Sequence, residues 1–378
     1  VRVSPDGRHV AFLDHPARGD NVAALMVVGP GSTARVLAPS AGQGLAWAPA
    51  GNEIYYADAG VLRAVDLNGR SRLVYRELGG FEVDDVSASG KILLIRVASK
   101  REMVGRAPGA SGERNLSWLD WSFPRFLSDD GRTVVFQEQN IETPSGDYAL
   151  FMRPTDGSPP VRLGEGGAYD LSPDGKWILT VLGGGQSKEV ALVPTGAGEV
   201  RRLGSVNLVI TAMALLPDGK RVLLAARAPG EGMRLYVRDF SGGALQAISP
   251  EGVTAWVCRL LSPDGREAFA TAPDGRLTIY PLAGGEPRPV PGTTRTDVPI
   301  RWTSDGHGIF VQHGTTLPNR IERIDVATGA RRLEMQLNPP DPAGVLVIGP
   351  VLLSADARSY VYSYRRELDD LYVLDGLR

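Results

Sequence analysis

Catalysis and metal binding need particular side chains at particular spacings, and this chain supplies few of them. Its four histidines, His9, His15, His307 and His313, form no H-E-x-x-H pair, and its single cysteine, Cys258, has no partner at metal-ligand spacing. These features predict no metal site and no cofactor. Asp239-Phe-Ser-Gly242 superficially matches the D-F-G triplet of phosphoryl-transfer enzymes, with one residue too many. No glycine-rich loop, H-R-D segment or strand lysine accompanies it, so it is expected to end a strand and turn. The glycines at 164–167 and 183–185 could cradle a phosphate only at the mouth of a helix, and neither cluster opens a helical pattern. No G-x-S-x-G elbow is present for a nucleophilic serine. Asp369-Asp370, expected in a hairpin beside Arg365 and Arg366, is read as solvated charge. The chain is therefore expected not to be an enzyme.

The elements that would position any functional side chain are set by a repeat. Ser-Pro-Asp-Gly occurs at 4–7, 172–175 and 262–265, and degenerate copies end at 51, 90, 131, 219, 306 and 357. The nine turn ends are 39 to 51 residues apart, with a mean of about 44, the length of one four-stranded propeller blade. Proline fixes φ early in the turn, aspartate caps the backbone, and glycine accepts a positive φ at the exit. Four residues before and three residues after each turn end, all eighteen positions are apolar. Examples are Trp47, Leu127 and Trp302 on the entering side, and Val10, Ile178 and Ile309 on the leaving side. Each turn thus joins two half-buried strands.

The expected fold is all-β, a β-propeller of nine four-stranded blades. The blades would form one large ring, or a ring of six to seven blades with part of another. Residues 1–378 read as one continuous array with a seam near 115–123, where Trp118 and Trp121 break the rhythm. The last repeat lacks a fourth strand, and the chain opens on an inner strand at Val1 rather than on a leader. It is expected to be a piece of a longer protein.

Five residues before the turn end stand Arg2, Asp85, Asp170 and Arg301, next to the inner-strand apolar position. Inner strands surround the axis of a propeller, so these four are the candidate ligand-binding residues at a channel mouth. The alternative is that they form salt bridges between neighbouring blades. Charges of both signs would suit a zwitterionic or peptide-like ligand better than a polyanion.

Composition narrows the partners. Lys and Arg number 41 against 43 Asp and Glu, for a formal net charge of −2. That balance argues against nucleic acid or an anionic membrane as the main partner. The longest apolar run, residues 345–353, is too short to span a bilayer. With 43% hydrophobic and 22% charged residues, the chain has the composition of a folded globular protein.

The units V-S-P-D-G-R-H-V-A-F-L and L-S-P-D-G-K-W-I-L-T-V resemble TolB-like, WD-like propeller repeats. Asp341-Pro-Ala-Gly-Val, Ser359-Tyr-Val-Tyr-Ser-Tyr-Arg-Arg and the closing segment from Asp370 to Arg378 are similar to the C-terminal propeller of bacterial transmembrane serine/threonine protein kinases. Arg114-Asn-Leu-Ser-Trp-Leu-Asp-Trp-Ser and Asp156-Gly-Ser-Pro-Pro-Val-Arg-Leu-Gly-Glu-Gly fit the same family. The resemblance implies a non-catalytic sensor or binding module on the extracytoplasmic side of a receptor kinase, taking a protein, peptide or small cell-envelope ligand. The alternative it leaves is a scaffold or gating propeller of a TolB-like envelope complex or of a peptidase.

Overall fold

The computed structural model describes all residues except 16–22, 43, 59, 78–79, 140–147, 173, 183–188, 206, 241–242, 256–258 and 377–378. The described residues contain no α-helix. The chain forms two compact units, Val1–Ser99 with Glu367–Arg378, and Lys100–Arg366. Residues 115–123 lie inside the larger of these.

Each repeat becomes an antiparallel meander because its strands are short, half-buried and separated by tight turns. In the larger unit the first meander runs Ser122–Leu127, Thr133–Gln139, Tyr148–Pro154, Val161–Glu165. The next sheets begin at Gly167–Leu171, Val209–Leu215 and Asp297–Trp302, each keeping sequence order. Between the last two sits a three-stranded sheet, Glu267–Thr271, Leu277–Pro281, Arg288–Pro289. Its inner position is filled by residues 259–261, which bridge to Ala268 on one side and to Arg301 on the other. The smaller unit holds two full meanders, which begin at Arg2–Val3 and Leu45–Trp47.

Nine four-stranded units were expected, but the described residues form eight sheets. The third and ninth repeats share a single five-stranded sheet. Its path is Arg114–Asn115, Ile92–Arg106, Tyr360–Leu374, Val345–Leu353, with Phe81–Val86 also paired to Ile92–Arg106. Two strands of 15 residues make this sharing feasible, since each is long enough to serve two blades. The ninth repeat therefore does not lack outer strands. The third repeat supplies them. Asp369-Asp370 lies within Tyr360–Leu374, a continuous strand rather than a hairpin.

The repeated turn works mainly through its serine. Ser262 Oγ donates to the Asp264 carboxylate at 2.6 Å and accepts the Glu267 N–H at 3.0 Å, while Asp264 accepts the Arg266 N–H at 3.1 Å. Ser4, Ser128, Ser172 and Ser354 repeat this set, and Thr303 replaces serine with the same geometry. The serine or threonine hydroxyl is the largest cause holding these aspartates below the usual carboxylate range. Gly265 has φ +66°, and a Cβ there would meet Pro217 of the preceding turn at 2.5 Å. In the ninth repeat Ala357 stands at this position with φ 56°.

Tryptophan supplies a second recurring contact. Trp302 Nε1 donates to the Leu260 carbonyl at 3.1 Å, and Trp47 Nε1 donates to the Arg2 carbonyl at 3.2 Å. In each case an indole four residues before its turn end reaches the preceding repeat. Trp302 also packs in a core with Leu260, Phe269 and Ile309, so the faces of neighbouring sheets are closed by apolar side chains.

Candidate binding cavity in the larger unit

The inner strands of the larger unit are irregular in one respect. The ladder shifts register between Pro124 and Phe126, Ala168 and Asp170, Ile210 and Ala212, Pro299 and Arg301, and Ile348 and Val351. A bulge bends its strand and re-aims the side chains beside it. Asp170 and Arg301, each beside such a shift, face a common space. That space is a cavity of about 390 Å³ with lining residues from all six repeats of the unit. Its charged residues are Asp129, Asp170, Arg259 and Arg301.

Three of the charges form one network. Arg301 Nη2 and Arg259 Nη1 both reach Asp129 Oδ1, at 3.0 and 3.1 Å. Arg301 Nη1 also donates to the Leu353 carbonyl at 2.9 Å, and Arg259 Nη2 donates to the Leu127 carbonyl at 3.2 Å. Burial and the neighbouring Arg259 charge pull the Arg301 guanidinium below its usual range. Asp170 accepts the N–H of Leu171 at 2.8 Å and of Leu215 at 2.7 Å. Burial pushes its carboxyl up to about 6, opposed by the Arg259 charge and these two amides.

Two of the four expected residues, Asp170 and Arg301, thus meet in one cavity. Arg2 and Asp85 belong to the smaller unit. Arg2 Nη2 donates to the Asp84 carbonyl at 3.0 Å and lies 3.7 Å from its carboxylate. The Asp85 carboxylate accepts the Val86 N–H at 2.8 Å, as Asp170 does with Leu171. The bridge from Arg301 to Asp129 joins the eighth repeat to the fourth, which are not consecutive in the chain. Sequence reasoning missed Asp129 and Arg259. Asp129 was visible as the acid that replaces proline in Ser-Asp-Asp-Gly, and Arg259 stands six rather than five residues before its turn end.

The unit also has a void of about 10 Å³ lined by Arg125, Leu127, Arg259, Ile300, Arg301 and Leu353, and a second cavity of about 260 Å³ that shares Arg125 with it. A void of the smaller size admits about one water.

Among the described residues, the others weighed in the sequence do not join this cavity. His313 Nδ1 pairs with the buried Asp297 carboxylate at 3.1 Å, and Arg331 binds the same carboxylate at 2.8 Å. Among the described residues no three His, Cys, Asp or Glu side chains are grouped to hold a metal ion. Gly164, Gly166 and Gly167 lie at the junction of two strands. Gly183–Gly185, Cys258 and part of Asp239-Phe-Ser-Gly242 lie outside the described residues. No helix among the described residues is long and apolar enough to cross a membrane.

No family model matches the sequence, and no curated protein matches it. Solved structures do. A protein of Agrobacterium tumefaciens designated TolB is 16% identical, with a TM-score of 0.50 over 71% of this chain and 99% of its own. A puromycin hydrolase, solved as its S511A variant, is 17% identical, with a TM-score of 0.45 over 84% of this chain and 57% of its own. TolB of Acinetobacter baumannii is 15% identical, with a TM-score of 0.29 over 95% of this chain and 64% of its own. At these identities the first likeness bears on fold alone. The chain has the TolB-like propeller fold, an all-β array built largely of four-stranded antiparallel sheets.

Proposed function

We propose that the larger unit is a six-bladed ring whose charged cavity binds a peptide or protein segment, and that the chain works as a non-catalytic docking propeller. Turn-to-turn contacts support the ring. Ser304 Oγ donates to the Ala355 carbonyl at 2.6 Å, and the Ala355 N–H donates to the Asp129 carbonyl at 2.9 Å. The sixth turn of the unit is thereby tied to the first.

The observation that carries the binding role is the convergence of Asp129, Asp170, Arg259 and Arg301 on one concave space of about 390 Å³. A cavity of that size, with charges of both signs fixed by backbone bonds, is preorganised for a zwitterionic or amide-rich ligand. Arginine forks suit a terminal carboxylate, and Asp170 suits an amine or amide N–H. We place this docking propeller outside the cytoplasm; the fold likeness supports the propeller itself and nothing finer. The receptor-kinase setting rests on the sequence resemblance alone.

Hydrogen exchange on the full chain, with and without a pool of short peptides and cell-wall fragments, tests the role. Slower exchange at Leu215 and residues 259–262 is expected with a binding member of the pool. A pool that protects nothing there, or a purified chain that cleaves peptides by itself, would overturn it.

A further inference from the structure

The second cavity of the larger unit differs in chemistry from the first. Its walls are apolar, with Phe123, Phe269, Val298, Pro299 and Pro350 among the lining side chains. Among the described residues, Arg125 is the one charged side chain that lines it. Arg125 sits at the bulge between Pro124 and Phe126, which turns it out of the regular alternation. Its Nε donates to the Ala168 carbonyl at 2.8 Å, and its guanidinium carbon lies 5.6 Å from the ring centres of both Phe123 and Tyr169. These contacts hold the fork in place. None of them neutralises it.

Among the described residues no carboxylate forms an ion pair with Arg125, and burial pulls its guanidinium down to about 10. A cation without a counter-ion in an apolar wall is costly, and an arriving anion offsets that cost. One positive charge matches one negative charge. A dianionic phosphate would bring a second charge with no partner. The cavity, about 260 Å³, is just under the usual size for drug-like ligands, roughly 300 Å³ and above.

We propose that this cavity binds a small apolar monocarboxylate, its carboxylate paired with the Arg125 guanidinium and its hydrocarbon body against Phe123 and Phe269. The site is distinct from the charged cavity and does not depend on a peptide binding there.

Calorimetric titration of the full chain with octanoate and phenylacetate, beside octanamide and phenylacetamide, tests the assignment. The acids should bind about tenfold or more tightly than the amides, because only they form a charge-assisted pair. Arg125→Gln should erase that preference without lowering the melting temperature, and Arg125→Lys should keep part of it. Four ligands that all fail to bind would overturn the proposal, as would equal binding of acid and amide. So would an Arg125→Gln variant that still prefers the acids. A leucine-terminated tripeptide that binds more tightly than both acids would make the occupant a chain terminus and equally contradict it.

Discussion

Two residues in the larger unit sit in states that ordinary chains avoid, and each sets a measurable energy. Ala357 holds φ 56° where the other eight turn ends are glycine. The left-handed region costs an alanine roughly 1–2 kcal/mol, while glycine adds some unfolded-state entropy. Ala357→Gly should therefore stabilise the protein by about 0.5–1 kcal/mol in urea unfolding. Gly265→Ala should destabilise it by more, since the new Cβ meets Pro217 at 2.5 Å as well as a φ of +66°. Asp170 is the second case. Folding raises its carboxyl from 3.8 to about 6, so the native state holds the proton more tightly than the unfolded chain. Its favourable contribution is complete below the unfolded value and is lost as pH rises through about 6. Asp170→Asn cannot titrate. Its stability relative to the parent should improve by on the order of 2 kcal/mol between about pH 4 and pH 7. Paired urea melts across that range check the sign. A relative stability that falls with pH would contradict the burial of Asp170.

At the scale of the element, the turn was legible in the sequence but its mechanism was only partly so. Proline, aspartate and glycine announced it, and seventeen of the eighteen apolar flanking positions lie in strands, Leu261 lying in a bridged segment instead. The serine was less visible, because its part depends on reaching the amide five residues ahead, which only the folded hairpin brings near. Ser262→Ala removes one bond to Asp264 and one from Glu267, and leaves that part-buried amide without its hydroxyl acceptor. The expected loss is about 1–2 kcal/mol. Ser262→Thr should be nearly neutral, because Thr303 makes the same contacts. Thermal melts of the two variants separate a hydrogen-bonding role from mere turn propensity. The bulges were not legible at all. A shifted ladder leaves no mark in a period of two over five or six residues, so nothing in the sequence singled out Arg125. Arg259 escaped for a related reason: its segment forms bridges rather than a full strand.

For the whole molecule, the repeat period predicted an all-β array built largely of four-stranded sheets, while the sharing of one sheet by the third and ninth repeats lay beyond its reach. Pairing between strands more than 250 residues apart in the chain is set by length and edge availability, and a local pattern carries neither. The same limit applied to the site. Asp170 and Arg301 shared a register position and were found together, but nothing local said that Asp129 would face Arg301 across 172 residues. The central claim is that the larger unit closes on itself around the charged cavity, and cross-linking at the closing contact tests it most directly. In a chain with Cys258 replaced by serine, cysteines at Asp129 and Ala355 should be joined by a short bismaleimide in the folded monomer and not in urea. Efficient linkage, with the linked peptides confirmed by mass spectrometry, is the predicted result. Failure to link them in the folded monomer, while a control pair at Ser304 and Ala355 links readily, would show that the ring is open and that the cavity has no continuous wall.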